Sequence, residues 1–489
     1  MTSRNRLLAS LFTLTLLTVL AGCGSPNQIA KPPVGNFTNA NLSGTYAFAF
    51  TGSNAGGFFT MAGSLQADGN GNITTGTAEI NSPGLGSLLT SVPLTGTYSV
   101  AADGRAAATF VTSAQNFNVD FVLLSNQHGL IIRFDQNATA SGTIDQQVSS
   151  AFNLPSLAGT FAFDISGVDA ARNVEAAGGL FTTDNAGNIS SGVVDDNDNG
   201  SLSLNTAVTA GAAFSTPAAN GRGTLTVTAN GVTRSFIYYI VDGNHLKVIE
   251  ADNVSALAGD LFRQQSAAIS GSFVFTQSGT STQGAFAEGM VLNTDGAGNV
   301  VNTSVEDANG ITSGFSQGNS VSGVYSLTGG RAVFSISVSG GIAGGARNLI
   351  AYPSTGGVLV LDADTTIVAT GTAIQQTGTF SNASLNGRFG LNLTGQLVNS
   401  GPFDLISQFT ADGNGNIKGT TDLNNVGQLS PNLALTGTYS FTSIGRASGS
   451  LTTGAGTQHI VLYAASSSQV VFIELDNGQI AVGVLSQQQ

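Results

Sequence analysis

The sequence predicts an all-β protein of four tandem antiparallel domains, each of about eight strands, with a closed meander barrel favoured over a β-sandwich. Three observations carry this. A polar turn, Asp68-Gly69-Asn70-Gly71-Asn72-Ile73, returns as Asp184-Asn185-Ala186-Gly187-Asn188-Ile189, Asp295-Gly296-Ala297-Gly298-Asn299-Val300 and Asp412-Gly413-Asn414-Gly415-Asn416-Ile417. The leading aspartates stand 116, 111 and 117 residues apart, which is a domain-sized period. The composition, with 65 glycines, no tryptophan and 9% charged residues in 489, suits strands joined by dense turns.

The chain opens with Arg4 and Arg6 and then an apolar run from Leu7 to Leu20. That run is short for a membrane span and matches a signal-peptide core. It ends in Leu20-Ala21-Gly22-Cys23, where Cys23 is the only cysteine of the chain. This segment resembles the lipobox of bacterial lipoproteins. The resemblance implies cleavage after Gly22, a diacylglyceryl group on the Cys23 sulfur and often an acyl chain on its freed amine. Two or three chains are what stable anchoring requires. Gly24, in place of an aspartate, implies an outer-membrane rather than an inner-membrane address. The expected organisation is therefore a signal peptide over 1–22, a lipidated flexible tether over 23–41 containing Pro26, Pro32, Pro33 and Gly35, and β repeats over 42–147, 157–265, 269–376 and 385–488.

Each repeat opens on an apolar residue, a small residue and glycine, followed by period-two aromatic or apolar spacing. Leu42-Ser43-Gly44-Thr45-Tyr46 leads to Phe48 and Phe50; Leu157-Ala158-Gly159-Thr160-Phe161 leads to Phe163 and Ile165. Ile269-Ser270-Gly271-Ser272-Phe273 leads to Phe275, and Leu385-Asn386-Gly387-Arg388-Phe389 to Leu391 and Leu393. Such alternation marks a half-buried strand. A strand then enters the Asp-x-x-Gly-Asn turn, and another returns towards an acidic residue (Glu79, Asp195, Glu306, Asp422). A second glycine-aromatic strand follows, as in Gly96-Thr97-Tyr98, Gly323-Val324-Tyr325 and Gly437-Thr438-Tyr439. A tight turn ends in arginine at Arg105, Arg222, Arg331 and Arg446. Two apolar strands come next, the second closing on Asp135, Asp252, Asp364 or Asp476, and each repeat finishes on paired glutamines.

A meander of eight strands can close on itself and so remove its exposed edges. The opening Gly-Thr-Tyr strand followed by seven hairpin-linked strands resembles the calycin pattern shared by lipocalins and avidins, without their usual tryptophan; no ligand residue is carried over from it. A sandwich would want longer Greek-key connections. A propeller would want blades of about 40 to 50 residues, but the turns after the two glycine-aromatic strands of each repeat differ, so the long period is the true one.

The Asp68, Asn70, Asn72 and Asp412, Asn414, Asn416 patterns resemble the first half of a calcium loop, which collects oxygens from alternate positions. Their sixth position is apolar, and Asp184 and Asp295 are followed by alanine where Asn70 stands. Asx-Gly hairpin turns are therefore the expectation, with calcium the alternative. The recurring arginines are expected to form structural ion pairs inside their own repeats, with the strand-end aspartates Asp135, Asp252, Asp364 and Asp476 or the third-strand carboxylates. In particular, Arg331 is expected to meet Asp364 or Glu306. The other reading of these arginines is a ligand-anchoring cation at a barrel mouth.

Gly314-Phe315-Ser316-Gln317-Gly318 matches a nucleophile-elbow string, but it sits in a glycine-rich connection and its repeat contains no histidine, so no catalytic serine is assigned. His128, His245 and His459 stand in different repeats, and no metal site is expected of them. Phe236, Tyr238 and Tyr239 are expected in the core or between repeats, because a continuous apolar run suits a strand covered on both faces. The connections 148–156 and 377–384 are expected to leave neighbouring repeats some freedom.

The formal charge of −13, becoming −15 without Arg4 and Arg6, and only three lysines exclude binding of nucleic acid through a basic patch. The expected protein is a lipid-anchored cell-envelope protein with a structural or protein-interaction role, no catalysis and no cofactor beyond the covalent lipid on Cys23. The alternative is a lipoprotein holding a small apolar molecule or a glycan in a barrel lumen. The membrane, through its lipid anchor, and an envelope or extracellular protein are the expected partners. The lumens distinguish the two: filled by inward aromatics, or open.

Overall fold

The computed structural model describes residues 36–489 apart from 210, 253, 266, 267 and 343. Cys23, the signal segment 1–22 and the tether up to residue 35 lie outside the described residues. Among those described, the first repeat runs through Ser43–Asn54, Gly57–Asp68, Asn72–Ser82, Ser87–Val100, Arg105–Thr112, Asn116–Leu123, His128–Asp135 and Ala138–Gln146. Every strand is antiparallel to the one before it. The first also pairs with the eighth, Tyr46 opposite Gln146, and so closes a barrel. The third repeat closes in the same way from Ser270–Ser281 to Ile367–Gln375, and the fourth from Asn386–Leu397 to Gln479–Gln487. The meander barrel, rather than the sandwich, is the architecture.

The second repeat departs from its siblings. Where they have one fourth strand (Ser87–Val100, Gly314–Thr328, Gln428–Phe441), it has Ser201–Ala207 and the fragment Ala213–Phe214. Its nine strands form a sheet whose two ends meet, among the described residues, through the isolated bridges Asn188 with Ala213 and Val208 with Ala229 and the backbone bonds beside them.

Period-two alternation decides what fills each barrel. Tyr46, Phe48 and Phe50 point inward to the first core, whereas Ala47 and Ala49 between them face the next barrel. The recurring Gly-x-Tyr of the fourth strand also has a local cause. Its hydroxyl donates to the carbonyl just before the opening strand: Tyr98 to Leu42 at 2.6 Å, Tyr439 to Leu385 at 2.6 Å, and Tyr325 to Ile269.

The four barrels close into a ring. The outer face of the first two strands of each barrel packs on the outer face of the sixth and seventh strands of the next. The fourth barrel packs on the first by the same surfaces. One asparagine per barrel repeats the junction: Asn81 Nδ2 donates to the carbonyls of Glu250 and Ser255, and Asn197 to those of Asp362, Asp364 and Ile367. Asn309 meets Glu474, Asp476 and Gln479, and Asn424 meets Arg133, Asp135 and Ala138. Backbone bonds mark the same four steps, from Val148 N to Val241 O, Gln265 N to Pro353 O, Thr377 N to Ala465 O and Gln489 N to Leu124 O.

Because like ends meet at every junction, the ring has two distinct faces. One carries Asn36, the Asp-x-x-Gly-Asn turns, the Gly-Arg turns and the connections between barrels. The other carries the turns after the first, third, fifth and seventh strands.

The connections and the end of the tether are more ordered than the sequence suggested. Phe37 is buried against the first core, its N–H reaches Ala102 O, and Asn39–Asn41 form a 3-10 turn. Residues 36–41 thus belong to the first barrel. The connection 148–156 holds two 3-10 segments, the second capped by Asn153, whose Oδ1 accepts from Ser156 N. Phe37, Phe152 and Phe380 lie over the Gly-Arg turns at Gly104, Gly221 and Gly445. A turn at a barrel end leaves apolar ring surface uncovered, and a phenylalanine from the adjoining segment covers it.

Candidate functional site

Strand register makes the four lumens comparable position by position. In the first barrel Phe50, Phe59, Met61, Phe110 and Phe117 interdigitate across the interior. The second barrel has Ile165, Glu175, Ala177, Val227 and Arg234 at those positions. Two aromatics and a methionine have become smaller aliphatic residues, and two more aromatics have become charges. The result is a cavity of about 280 Å³, lined on its apolar side by Phe163, Ile165, Phe181 and Leu225. The matching spaces are about 20 Å³ in the third barrel and about 160 Å³ in the fourth. The third lumen is plugged instead by Arg347, 5% exposed, whose guanidinium meets Glu288, Asp362 and Asp364.

The mouth of the second lumen opens beside the third-to-fourth and fifth-to-sixth strand turns, on the ring face away from Asn36. Arg234 stands there among carboxylates. It bonds Glu175 and also Glu250 at 3.2 Å, and lies 3.7 Å from Asp196. Asp198 lines the same opening. Burial pushes the Glu175 carboxyl up to about 8 despite Arg234, with Asp196, Asp198 and Glu250 adding to the rise. Asp196 Oδ1 and Glu250 Oε2 are buried and have no hydrogen-bond partner.

The recurring arginines form ion pairs, but with third-strand carboxylates of a neighbouring repeat rather than with the strand-end or third-strand carboxylates of their own. Arg222 Nε meets Glu79 of the preceding barrel at 2.6 Å, Arg331 meets Asp195 through Nε and Nη2, both at 2.6 Å, and Arg446 meets Asp307 at 2.7 and 2.6 Å. Arg105 completes the cycle with Asp422 of the fourth barrel, at 3.4 Å, besides its neighbour Asp103. Arg331 therefore meets neither Asp364 nor Glu306. Asp364 lies at the opposite end of its barrel, by the turn after the seventh strand. A third-strand carboxylate faces outward, so the side chains that reach it come from the barrel packed on that face. The third-barrel member of the set is Asp307, one residue past Glu306; Glu306 accepts instead from Asn319 Nδ2 at 2.7 Å.

A tyrosine completes three of these sites, with Tyr239 on Glu79, Tyr352 on Asp195 and Tyr463 on Asp307. Tyr238 faces its own core while Tyr239 enters the junction, so the apolar run Phe236–Val241 is covered on both faces. The strand-end aspartates have other partners. Asp135 takes Arg133 at 2.8 Å, Asp364 takes Arg347 at 3.0 Å, and Asp476 takes His459 at 2.6 Å. Asp252 accepts from the N–H groups of Val254 and Ser255.

The four repeated turns are internally bonded. Asp68 Oδ1 accepts from the N–H groups of Asn70 and Asn72, and Oδ2 from Asn72 Nδ2 at 2.7 Å. Asp184, Asp295 and Asp412 do the same with the residues two and four positions on. Asn414 N and Asn416 thus mirror Asn70 and Asn72. These bonds hold all four aspartates below the usual carboxylate range.

The histidines sit in junctions or at rims. His128 bonds Asp145, and His245 bonds Asp260; buried Lys247 joins the two carboxylates across the first and second barrels, 2.8 Å from Asp145 and 3.7 Å from Asp260. Sequence reasoning passed over Lys247 and Arg234. The signal available was their rarity, as internal cations in strands otherwise apolar or neutral.

Buried carboxylates set the pH response. Burial, aided in several cases by nearby carboxylates, raises Asp120 and Asp362 to about 7, Asp164 and Glu175 to about 8, and Glu306 and Glu474 to about 9. A carboxyl whose folded pKa exceeds its unfolded value near 4 binds more protons when folded, so stability falls as pH rises through that window. The lowered turn aspartates act only below about pH 4, where their contribution is lost. The melting temperature is therefore expected to fall steadily between pH 5 and pH 9. Glu474→Gln should raise it at pH 9 and leave it nearly unchanged at pH 5. Calorimetry at the two pH values checks both.

No family model and no curated protein matches the chain. Among solved structures it is similar to transferrin binding protein B from Haemophilus parasuis, at 10% identity over 76% of this chain and 83% of that one, with a TM-score of 0.20. It is likewise similar to isotype 1 transferrin binding protein B from Neisseria meningitidis, at 10% identity over 73% and 82%, with a TM-score of 0.21. A third likeness is to an intact transferrin binding protein B described as having N and C lobes, at 8% identity over 95% and 96%, with a TM-score of 0.20. At such TM-scores nothing about ligand or partner passes from those proteins to this chain.

Proposed function

We propose that the chain is a non-catalytic, lipid-anchored protein of the bacterial envelope, whose four barrels act as one rigid ring that presents an interaction face. The observation carrying this reading is the closure of the ring, with Gln489 N bonded to Leu124 O and Asn424 seated in the first barrel. Barrels that only spaced an anchor from a partner would need no fourth junction, whereas closure gives all four mouths a common orientation. The face away from Asn36 carries exposed apolar side chains on its turns, among them Leu85, Val254, Phe315, Val398 and Val426. The Asn36 face has fewer, Val148 and Ile444 among them, and this excess of apolar side chains on one face favours a binding role over a purely solvated one. Cys23 supplies the anchor, by its lipobox context.

Two measurements test the proposal. Cells given labelled palmitate should label the chain and fail to label Cys23→Ser; an unlabelled parent chain overturns the anchor. A photo-crosslinking residue at position 315 or 426 should yield discrete adducts with an envelope macromolecule, while the same probe on the Asn36 face should not. Adducts from neither position, or equally from both faces, overturn the interaction role.

A further inference from the structure

The second barrel is the exception in a molecule that otherwise repeats its solutions, and its differences point the same way. Its lumen has lost the bulk that fills the first, through Met61 becoming Ala177, Phe110 becoming Val227 and Phe50 becoming Ile165 at matched positions. Its fourth strand is interrupted beside the opening. Its mouth is short of positive charge: among the described residues Arg234 is the one cation lining the opening, and Asp196, Asp198 and Glu250 stand around it beside Glu175, whose carboxyl, pushed up to about 8, is largely neutral near pH 7. In the turns after the first and seventh strands Asp169 and Asp252 add two negative charges and Arg172, bonded to the carbonyls of Val254 and Pro83, one positive charge.

We infer that the lumen of the second barrel is a binding site for a small organic cation, its apolar body among Phe163, Ile165, Ala177 and Phe181 and its charged head against Asp196 and Asp198. The size follows from the cavity. About 150 Å³ of apolar space accommodates benzene, so 280 Å³ takes a body of roughly a dozen non-hydrogen atoms by the same scaling. The sign follows from the mouth. Arg234 already serves Glu175 and Glu250, and the Oδ1 of Asp196 is buried without a donor. An incoming ammonium supplies donors and positive charge together, whereas an anion would add to the repulsion. The third barrel resolves a similar excess internally, by turning Arg347 into its own lumen. At the matched position Arg234 remains at the rim and leaves the floor apolar.

The test is titration calorimetry on the full chain in nonionic detergent, with detergent-only blanks, using 4-phenylbutylamine, 4-phenylbutanol and 4-phenylbutanoate. The amine is expected to bind at least tenfold tighter than the alcohol, and the carboxylate weakest. Asp196→Asn with Asp198→Asn should shrink the amine preference to under threefold while leaving the alcohol unchanged. Ala177→Met with Val227→Phe, which restores first-barrel residues, should abolish binding of all three, with the far-ultraviolet spectrum confirming the fold. Absence of binding by any probe at millimolar concentration overturns the inference, as does an alcohol or carboxylate bound as tightly as the amine. Binding that survives in the folded, lumen-filled variant overturns the location. The three-probe comparison on the unaltered chain decides the charge preference without any variant.

Discussion

Asp195→Ala is expected to destabilise the ring by about 3–5 kcal/mol, the cost of leaving a buried charge without its partner. The carboxylate is fully buried between the second and third barrels and gathers four donors. Two come from Arg331, one from the Tyr352 hydroxyl and one from the Asn205 N–H at 2.6 Å. Truncation strands a guanidinium, a phenol and a backbone N–H around the position that the buried carboxylate had filled. Arg331→Met in the same chain should recover part of the loss, because the stranded cation is then gone. Urea unfolding of the two single variants and the double variant measures this. A loss below about 1 kcal/mol for Asp195→Ala would put the pair in the class of screened surface pairs and remove the junction from the account of stability.

The second large effect is expected where the ring closes. At three junctions a tyrosine lies over a small residue: Tyr239 over Ala62, Tyr352 over Gly178 and Tyr463 over Gly289. A Cβ added at Gly178 would come within 2.8 Å of the Tyr352 ring, and one at Gly289 within 2.4 Å of Tyr463. At the fourth junction the register places Val122 where the tyrosines stand and Ile406 where the small residues stand, and these two share one core cluster. Bulk has moved from one side of the interface to the other. Val122→Tyr should therefore overpack the site and cost about 1–3 kcal/mol. Ile406→Gly should open a cavity and cost about 2–5 kcal/mol. Together they rebuild the form of the other junctions and give the new hydroxyl Asp422 as acceptor, so the double variant should be more stable than the sum of the singles by at least about 2 kcal/mol. Additive costs would mean that the two positions do not share a packing site. Without a tyrosine there, Asp422 keeps only the 3.4 Å contact to Arg105 among charged partners.

Much of the architecture was legible because it is local. The Asp-x-x-Gly-Asn turns, the glycine-aromatic openings and the period-two runs each depend on residues a few positions apart, and the copies sit at a fixed period. The double-faced strand around Tyr238 and Tyr239 was legible for the same reason, since an unbroken apolar run has no solvent face. The arginine pairs were half legible. Rarity identified Arg222, Arg331 and Arg446 as needing partners, yet partner choice followed from which barrel lies against which face. The tether's end was misplaced because Phe37 looks like any residue in a polar stretch until a barrel end offers it a surface.

The second lumen lay furthest from sequence reasoning. Ile165, Ala177 and Val227 are unremarkable strand residues one at a time, and their combined effect is a volume, which arises only when opposite strands are brought across a barrel. What the sequence determined by itself was the four-fold repetition, the strand and turn order, the scarcity of cations and the lipobox, because those are properties of neighbours along the chain. What only the tertiary structure decided was the closure into a ring, the exchange of ion pairs between barrels and the enlarged second lumen, because each joins residues in contact across a hundred positions or more, or across the barrel interior, where packing rather than sequence spacing sets the distance.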